Sequence, residues 1–140
     1  MRVETAELLR DKGIQPSAQR VAVSAYVLAT HDHPTAEEVF ARVRKKFPML
    51  SRATVYNTLN LLLRKGLLRQ FVLGGGRLVF DANVSDHHHF IETGSGKIHD
   101  VPWESLRVEN VERLSEFEVA DYHVVLRGRR KKKRPGSRPS

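Results

Sequence analysis

The chain contains no cysteine among its 140 residues. Disulfide bonds, thiolate zinc sites and cysteine nucleophiles are therefore all excluded. Any metal ion that this protein binds must be held by nitrogen and oxygen donors, which histidine, aspartate and glutamate supply. The absence of cysteine thus limits both the catalytic mechanisms and the metal sites that this protein could have.

Long apolar runs are also missing. No stretch approaches the roughly 18 consecutive apolar residues of a membrane-spanning helix, and the polar, acid-containing start does not resemble a signal peptide. We therefore expect a cytoplasmic protein with no membrane partner. Hydrophobic residues make up 40% of the sequence, enough for a core, and 140 residues fit one domain or two small ones.

Charge is distributed very unevenly along the chain. Residues 1–80 hold 13 Lys and Arg against 6 Asp and Glu, whereas residues 81–126 hold 3 against 10. Residues 127–140 carry eight basic residues and no acidic one. A basic first half is typical of proteins that bind a polyanion, and an acidic half with histidines is typical of a cation site. The pattern predicts two modules and a disordered basic tail at 128–140.

Three consecutive histidines, His87–His89, are the strongest candidate ligands. Because side chains alternate across a β-strand, His87 and His89 would share one face and His88 would lie on the other. Other potential donors lie at His33, Asp81 and Asp100. Imidazoles combined with carboxylates form the donor set that zinc, ferrous iron or manganese accepts. We interpret the cluster as a metal site; the simpler alternative is a solvated polar strand.

The first 82 residues have the pattern of helices followed by a hairpin. Ser17, Thr35 and Ser51 are expected N-caps. The predicted helices are 3–12, 17–30, 35–47 and 51–65, and the predicted strands 67–73 and 77–80 surround three glycines. This is the element order of a winged helix-turn-helix, in which the last helix enters the major groove of DNA. A purely structural helical bundle is the alternative.

Side chains suited to base edges and phosphates lie near the start of the last of these helices. We predict that they contact double-stranded DNA, together with an arginine of the second helix. The predicted DNA-binding residues are Arg20, Ser51, Arg52, Thr54, Tyr56 and Asn57.

Residues 83–127 are predicted to form a small dimerisation and metal-sensing domain. A hairpin of residues 87–93 and 97–101 would precede a helix, 104–115, and a strand, 117–126. The apolar face of that helix would comprise Leu106, Val108, Val111 and Leu114. A unit of this size rarely folds alone, and an exposed sheet edge favours pairing, so we expect a homodimer.

Several short motifs, in this order, resemble those of the ferric uptake regulator family. They are Gln19-Arg20, His33 to Ala36, Ala53 to Leu59, Phe80-Asp81, His87 to His89 and Gly96 to Asp100. The resemblance covers residues 5–127 and implies an α+β fold, with a winged helix-turn-helix domain followed by a small α/β dimerisation domain. It implies a metal-dependent repressor rather than an enzyme, with no small-molecule substrate. Metal binding would close the dimer onto operator DNA.

The resemblance also assigns ligands by position. Its regulatory metal site between the domains falls on His33, Asp81, His87, His89 and Asp100. A second metal site of some members falls on Asp86, His88 and His123, with Glu104 as a substitute carboxylate because the usual position reads Arg107.

The family's structural zinc is not expected here. The positions of its first cysteine pair read Glu92 and Ser95. The resemblance therefore predicts no cysteine-ligated zinc, and a dimer stabilised by packing alone.

Two branches of the family share features with this chain. The Asp at position 100 and the Asn at position 57 resemble the residues of the peroxide-sensing repressors. This resemblance implies that the bound ion is Fe²⁺ or Mn²⁺ and that the protein controls peroxide-stress or iron-homeostasis genes. It also implies that peroxide oxidises a metal ligand such as His33 or His87. Zinc could also bind in vitro. The sequence of residues 83–90, the lack of cysteine and the basic ending resemble haem-linked iron response regulators. We favour the first branch and keep haem binding as the alternative.

Two hypotheses of other classes remain. A small metallohydrolase would use the same ligands with a bound hydroxide, but its carboxylates would be used as ligands, which leaves no obvious general base. A metal-storage or structural interaction protein would have no affinity for DNA.

Overall fold

The computed structural model describes residues 2–132. The chain divides into two compact units: the first ends at Ser85 and the second begins at Asp86. No helix within the described residues is long and apolar enough to cross a membrane.

The first unit contains four helices and one antiparallel hairpin. The helices are α1 (Arg2–Asp11), α2 (Ala18–Val27), α3 (Ala36–Arg44) and α4 (Arg52–Arg64). Strands β1 (Arg69–Leu73) and β2 (Arg77–Asp81) follow and pair in antiparallel register. The predicted order of elements is confirmed, although α2 and α3 end about one turn earlier than expected.

The three predicted N-caps are present. The side-chain oxygens of Ser17, Thr35 and Ser51 each accept a backbone N–H from the first turn of the helix that follows. Thr35 and Glu38 form a complete capping box. Gly66, at a φ of 72°, ends α4 in the left-handed conformation that glycine adopts without strain.

The core of the first unit lies among its helices. Along α4, Val55, Leu59 and Leu62 are at most 1% exposed, as the spacing of the apolar residues predicts. They pack in one cluster with residues of α1, α2 and α3, among them Leu9, Val23 and Val39. Burial of one face of α4 leaves its other face, which carries Tyr56 and Asn57, exposed.

The second unit is built on a three-stranded sheet. Strand β3 (His87–Glu92) lies in the middle, antiparallel to β4 (Ile98–Pro102) and parallel to β5 (Val125–Gly128). The predicted hairpin is therefore confirmed. The parallel strands β3 and β5 are joined through β4 and a long crossover, residues 103–124.

The predicted helix 104–115 is not formed. Two short 3-10 turns, Trp103–Ser105 and Val111–Arg113, stand in its place. Asn110 adopts a left-handed φ of 69°, which interrupts a helix. The predicted apolar face also lacks a surface to pack on, since Val108 and Leu114 are 37% and 51% exposed. A helix of this length is marginal without such packing.

The last strand is also shorter than predicted. It begins at Val125 rather than at residue 117, and Phe117 is 69% exposed. At its other end, Arg127 and Gly128 still pair with β3, so strand structure extends into the predicted basic tail. Residues 133–140 of that tail lie outside the described residues.

Candidate functional site

Three donor atoms converge on the sheet of the second unit. His87 and His89 lie on one face of β3, and Asp100 is the cross-strand partner of His89 on β4. The Nε2 atoms of His87 and His89 are 3.1 Å apart. The Oδ1 atom of Asp100 lies 3.5 Å from the first and 3.6 Å from the second.

These separations suit ligands of a single ion. Metal–ligand bonds of about 2.0–2.2 Å place neighbouring ligand atoms roughly 3.0–3.5 Å apart. Both imidazoles are buried, with side chains 3% and 0% exposed, while the Asp100 side chain is 32% exposed. Two imidazoles and a carboxylate are a donor set for a first-row divalent metal, so the residues present fit such an ion.

The first unit contains a pair of donors of its own. The Nε2 atom of His33 lies 3.2 Å from the Oδ2 atom of Asp81, and both side chains are at most 5% exposed. The backbone explains this contact. The N–H of Phe80 donates to the carbonyl of Pro34 at 2.9 Å, so the segment before α3 runs beside the end of β2.

Local structure orients both members of this pair. The Oδ1 atom of Asp81 accepts the N–H of Asn83 at 2.9 Å, which leaves Oδ2 directed to His33. His33 itself has a φ of 52°, a conformation that costs a non-glycine residue about 1–3 kcal/mol and is common at functional sites.

The residues predicted for a second metal site are not brought together. His88 lies on the opposite face of β3 from its neighbours, stacked on Trp103 with ring centroids 4.6 Å apart. Its Nδ1 accepts the backbone N–H of Val124 at 2.9 Å, so only Nε2 could bind an ion. Asp86 and Glu104 are exposed.

The ring of His123 lies edge-on to His89 instead, at 5.1 Å. Among the described residues, the donors grouped closely enough for one ion include none of these four. The second site therefore stays a prediction.

A pair that the sequence did not reveal lies at the end of the β3–β4 hairpin. His99 and Glu92 are joined by a hydrogen bond of 2.6 Å between Nε2 and Oε2. The bond from His99 holds the pKa of Glu92 below its usual value, and the charges of His99, Arg130 and Lys97 act in the same direction. Glu92 stands at the position where the resemblance places a zinc-binding cysteine. The hydrogen bond between Glu92 and His99 therefore lies at this position instead.

The predicted DNA-binding residues lie mainly at the start of α4. Tyr56 is 46% exposed, and Arg52 and Asn57 are also exposed. Ser51 has a structural role as well, because it caps α4 and its hydroxyl lies 2.9 Å from that of Thr54.

Arg20 lies at the start of α2, where its Nη1 donates to the carbonyl of Gln15 at 3.1 Å. The predicted DNA-binding side chains therefore lie mainly on one face of α4, and Arg20 adds a cationic side chain at the start of α2.

Comparison with known proteins agrees with this architecture. The sequence matches the ferric uptake regulator family over residues 11–127. It is 35% identical over 122 residues to the peroxide-responsive repressor PerR of Staphylococcus epidermidis, covering 87% of this chain and 79% of that protein.

Two solved structures are similar over most of their length. The Campylobacter jejuni peroxide stress regulator is 25% identical with a TM-score of 0.64, covering 91% of this chain and 93% of that one. The ferric uptake regulator from Pseudomonas aeruginosa with manganese is 26% identical with a TM-score of 0.65, covering 90% and 97%. The α+β fold and the resemblance are confirmed. The chain belongs to the ferric uptake regulator family and is a metal-dependent transcriptional regulator, not an enzyme.

Proposed function

We propose that this protein is a homodimeric repressor that binds operator DNA when Fe²⁺ or Mn²⁺ joins its two units. The ion would be held by His33, Asp81, His87, His89 and Asp100. The observation that carries the proposal is the convergence of His87, His89 and Asp100 at ligand-to-ligand distances of 3.1–3.6 Å.

Each group of donors would supply only part of the coordination sphere. The second unit would supply two nitrogens and one oxygen, and the first unit one of each. First-row divalent metals take four to six ligands, so an ion that uses both groups favours one arrangement of the units. Its binding free energy is then available to stabilise the DNA-binding state.

The donor set supports the choice of ion. Imidazole and carboxylate suit Fe²⁺ and Mn²⁺, and they also accept Zn²⁺. The relative from Staphylococcus epidermidis is a peroxide-responsive repressor, and the Pseudomonas aeruginosa structure contains manganese. We therefore propose a peroxide-responsive regulator that uses Fe²⁺, with Mn²⁺ as an alternative ion. Bound Fe²⁺ would supply the reactivity towards peroxide.

Haem binding is the less favoured alternative. His87, His88 and His89 are 4%, 1% and 0% exposed. An axial haem ligand needs an open ring nitrogen beside a space for the porphyrin, and burial of all three rings favours a small ion instead.

Operator recognition would come from α4. We propose that Tyr56 and Asn57 enter the major groove and that Arg52 and Arg20 contact phosphates. An asparagine can pair bidentately with adenine, which is worth about 1–3 kcal/mol of discrimination. Asn57→Ala should therefore reduce preference for the operator about tenfold, while Arg52→Ala weakens binding to all sequences. Unchanged preference in Asn57→Ala would contradict the placement of Asn57 on a base.

The metal requirement is tested by fluorescence anisotropy. The probes are a duplex selected by the wild-type protein from a random library and a shuffled duplex. Manganese should raise affinity for the selected duplex at least tenfold in wild type, but not in His89→Ala. His31→Ala, which removes an exposed histidine outside the donor set, should behave as wild type. Equal binding by metal-free and manganese-loaded wild type would refute the proposal.

Peroxide sensing needs a separate experiment. The Fe²⁺-loaded protein should lose DNA binding on peroxide treatment and gain the mass of one oxygen on His33 or His87. The Mn²⁺-loaded protein should resist. A Soret band that disappears in a His87/His88/His89 triple alanine variant, with iron-loaded protein indifferent to peroxide, would favour the haem alternative.

A further inference from the structure

An ion pair ties the start of α4 to α3. The Nε atom of Arg52 lies 3.1 Å from Oε1 and 3.2 Å from Oε2 of Glu37. The guanidinium carbon of Arg52 also lies 4.5 Å from the centre of the Phe40 ring. Glu37 and Phe40 are one turn apart on α3, so two side chains of one helix hold the guanidinium in place.

The atoms used in this pair determine what Arg52 can still do. Both contacts to Glu37 run through Nε, so the pair does not use the two Nη groups and their four N–H donors. A guanidinium can therefore bind a carboxylate through Nε and a phosphate through Nη at the same time. Arg52 is one helical turn before Tyr56, on the same side of α4.

We propose that Glu37 is a positioning residue for DNA recognition. It orients the guanidinium of Arg52, whose phosphate contact fixes the register of α4 so that Tyr56 and Asn57 meet the bases. Phosphate contacts of this kind set the orientation of a protein on the duplex without reading sequence themselves. The inference rests on the proposed operator binding by α4.

A role in stability alone does not account for this arrangement. The Arg52 and Glu37 side chains are 62% and 56% exposed, and exposed ion pairs contribute little to folding. A carboxylate beside a phosphate-binding arginine also repels DNA of any sequence. We therefore expect Glu37 to act on discrimination between sequences rather than on affinity for DNA as such.

Two substitutions with the same change of charge separate these effects. Glu37→Gln removes the ion pair, whereas Glu38→Gln removes one charge at the next residue and keeps an oxygen that can accept the Thr35 N–H in the capping box. Both should raise affinity for the shuffled duplex to a similar extent. Only Glu37→Gln should lower the ratio of selected-duplex to shuffled-duplex affinity, by about threefold to fivefold.

A double-mutant cycle shows whether Glu37 acts through Arg52. In the Arg52→Ala background, Glu37→Gln should leave the affinity ratio unchanged. Arg52→Ala should itself lower the ratio, besides weakening binding to both duplexes, because the register of α4 is lost. Arg52→Lys should not restore the ratio, because an ammonium lacks the planar fork of donors. All measurements use full-length protein loaded with Mn²⁺, and circular dichroism melting confirms that each variant is folded.

Two results would overturn the inference. One is an equal ratio of selected-duplex to shuffled-duplex affinity in Glu37→Gln and Glu38→Gln. The other is a lowering of this ratio by Glu37→Gln that is also seen in the Arg52→Ala background. Failure of the proposed function has a different signature, because wild type would then show no preference for the selected duplex.

Discussion

The two units of this protein have very different interiors. The first unit buries a large apolar cluster shared by its four helices. In the described part of the second unit, the buried apolar side chains are Ile91 and Ile98, and His87, His88 and His89 are buried as well. The first unit is therefore stabilised mainly by apolar packing. The second depends more on what its polar groups bind and on what covers its surface.

The surface of the second unit points to the same difference. A single run of the crossover exposes several large apolar side chains: Val108, Leu114, Phe117, Val119 and Tyr122. A small unit with few buried apolar residues gains stability when such a run is covered. We propose that a second copy covers it, as the expected homodimer requires.

The largest effect on self-association is expected when charged residues are introduced among these exposed apolar side chains. Leu114→Glu combined with Phe117→Glu is expected to weaken self-association about a hundredfold or more, because two charges would be placed in an apolar interface. Size-exclusion chromatography with light scattering measures the mass. Met49→Glu, at an 87% exposed residue of the first unit, is the control and should leave the mass unchanged. A variant of the crossover that remains fully dimeric would place the interface elsewhere.

The two groups of ligands should contribute unequally to metal affinity. His89→Ala removes one of three converging donors and should weaken Mn²⁺ binding about a hundredfold, whereas His33→Ala leaves those three and should cost about tenfold. Competition against a chelator measures both constants, and His31→Ala is the control. An effect of His33→Ala as large as that of His89→Ala would show that the second unit does not dominate binding.

The smallest effect concerns the polar contact at the hairpin end. The pKa of Glu92 is lower in the folded protein than in the unfolded chain. Its charged form therefore adds stability at pH values above the unfolded-state pKa. This stability is lost as the pH falls through the folded-state pKa. Glu92→Gln should therefore melt slightly below wild type near neutral pH, and the difference should disappear well below pH 4.5. Glu116→Gln, at an exposed residue of the same unit, is the control. A difference of the same size in acid would show that the destabilisation does not come from the charge of Glu92.

The first unit could be predicted well because its signals are local. Ser51 caps α4, Gly66 ends it, and the spacing of Val55, Leu59 and Leu62 determines its buried face. In the second unit, alternation along β3 correctly predicted that His87 and His89 share a face. These features depend on periods of 3.6 and 2 residues, which a sequence displays directly.

Other features depend on contacts that no local pattern reveals. The spacing of apolar residues from Leu106 to Leu114 predicts an apolar helix face, but it does not show whether another surface packs against that face. The predicted helix was wrong for this reason. The Glu37–Arg52 contact joins residues 15 positions apart, and only the packing of α3 against α4 brings them together. The Glu92–His99 bond depends on the hairpin register.

The central claim is that metal binding and operator binding are coupled, and one measurement tests it most directly. Coupling is reciprocal, so operator DNA must raise metal affinity by the factor by which metal raises operator affinity. The dissociation constant of Mn²⁺ should therefore fall at least tenfold when the selected duplex is present, and should not change with the shuffled duplex. An Mn²⁺ dissociation constant that is the same with and without the selected duplex would contradict the account.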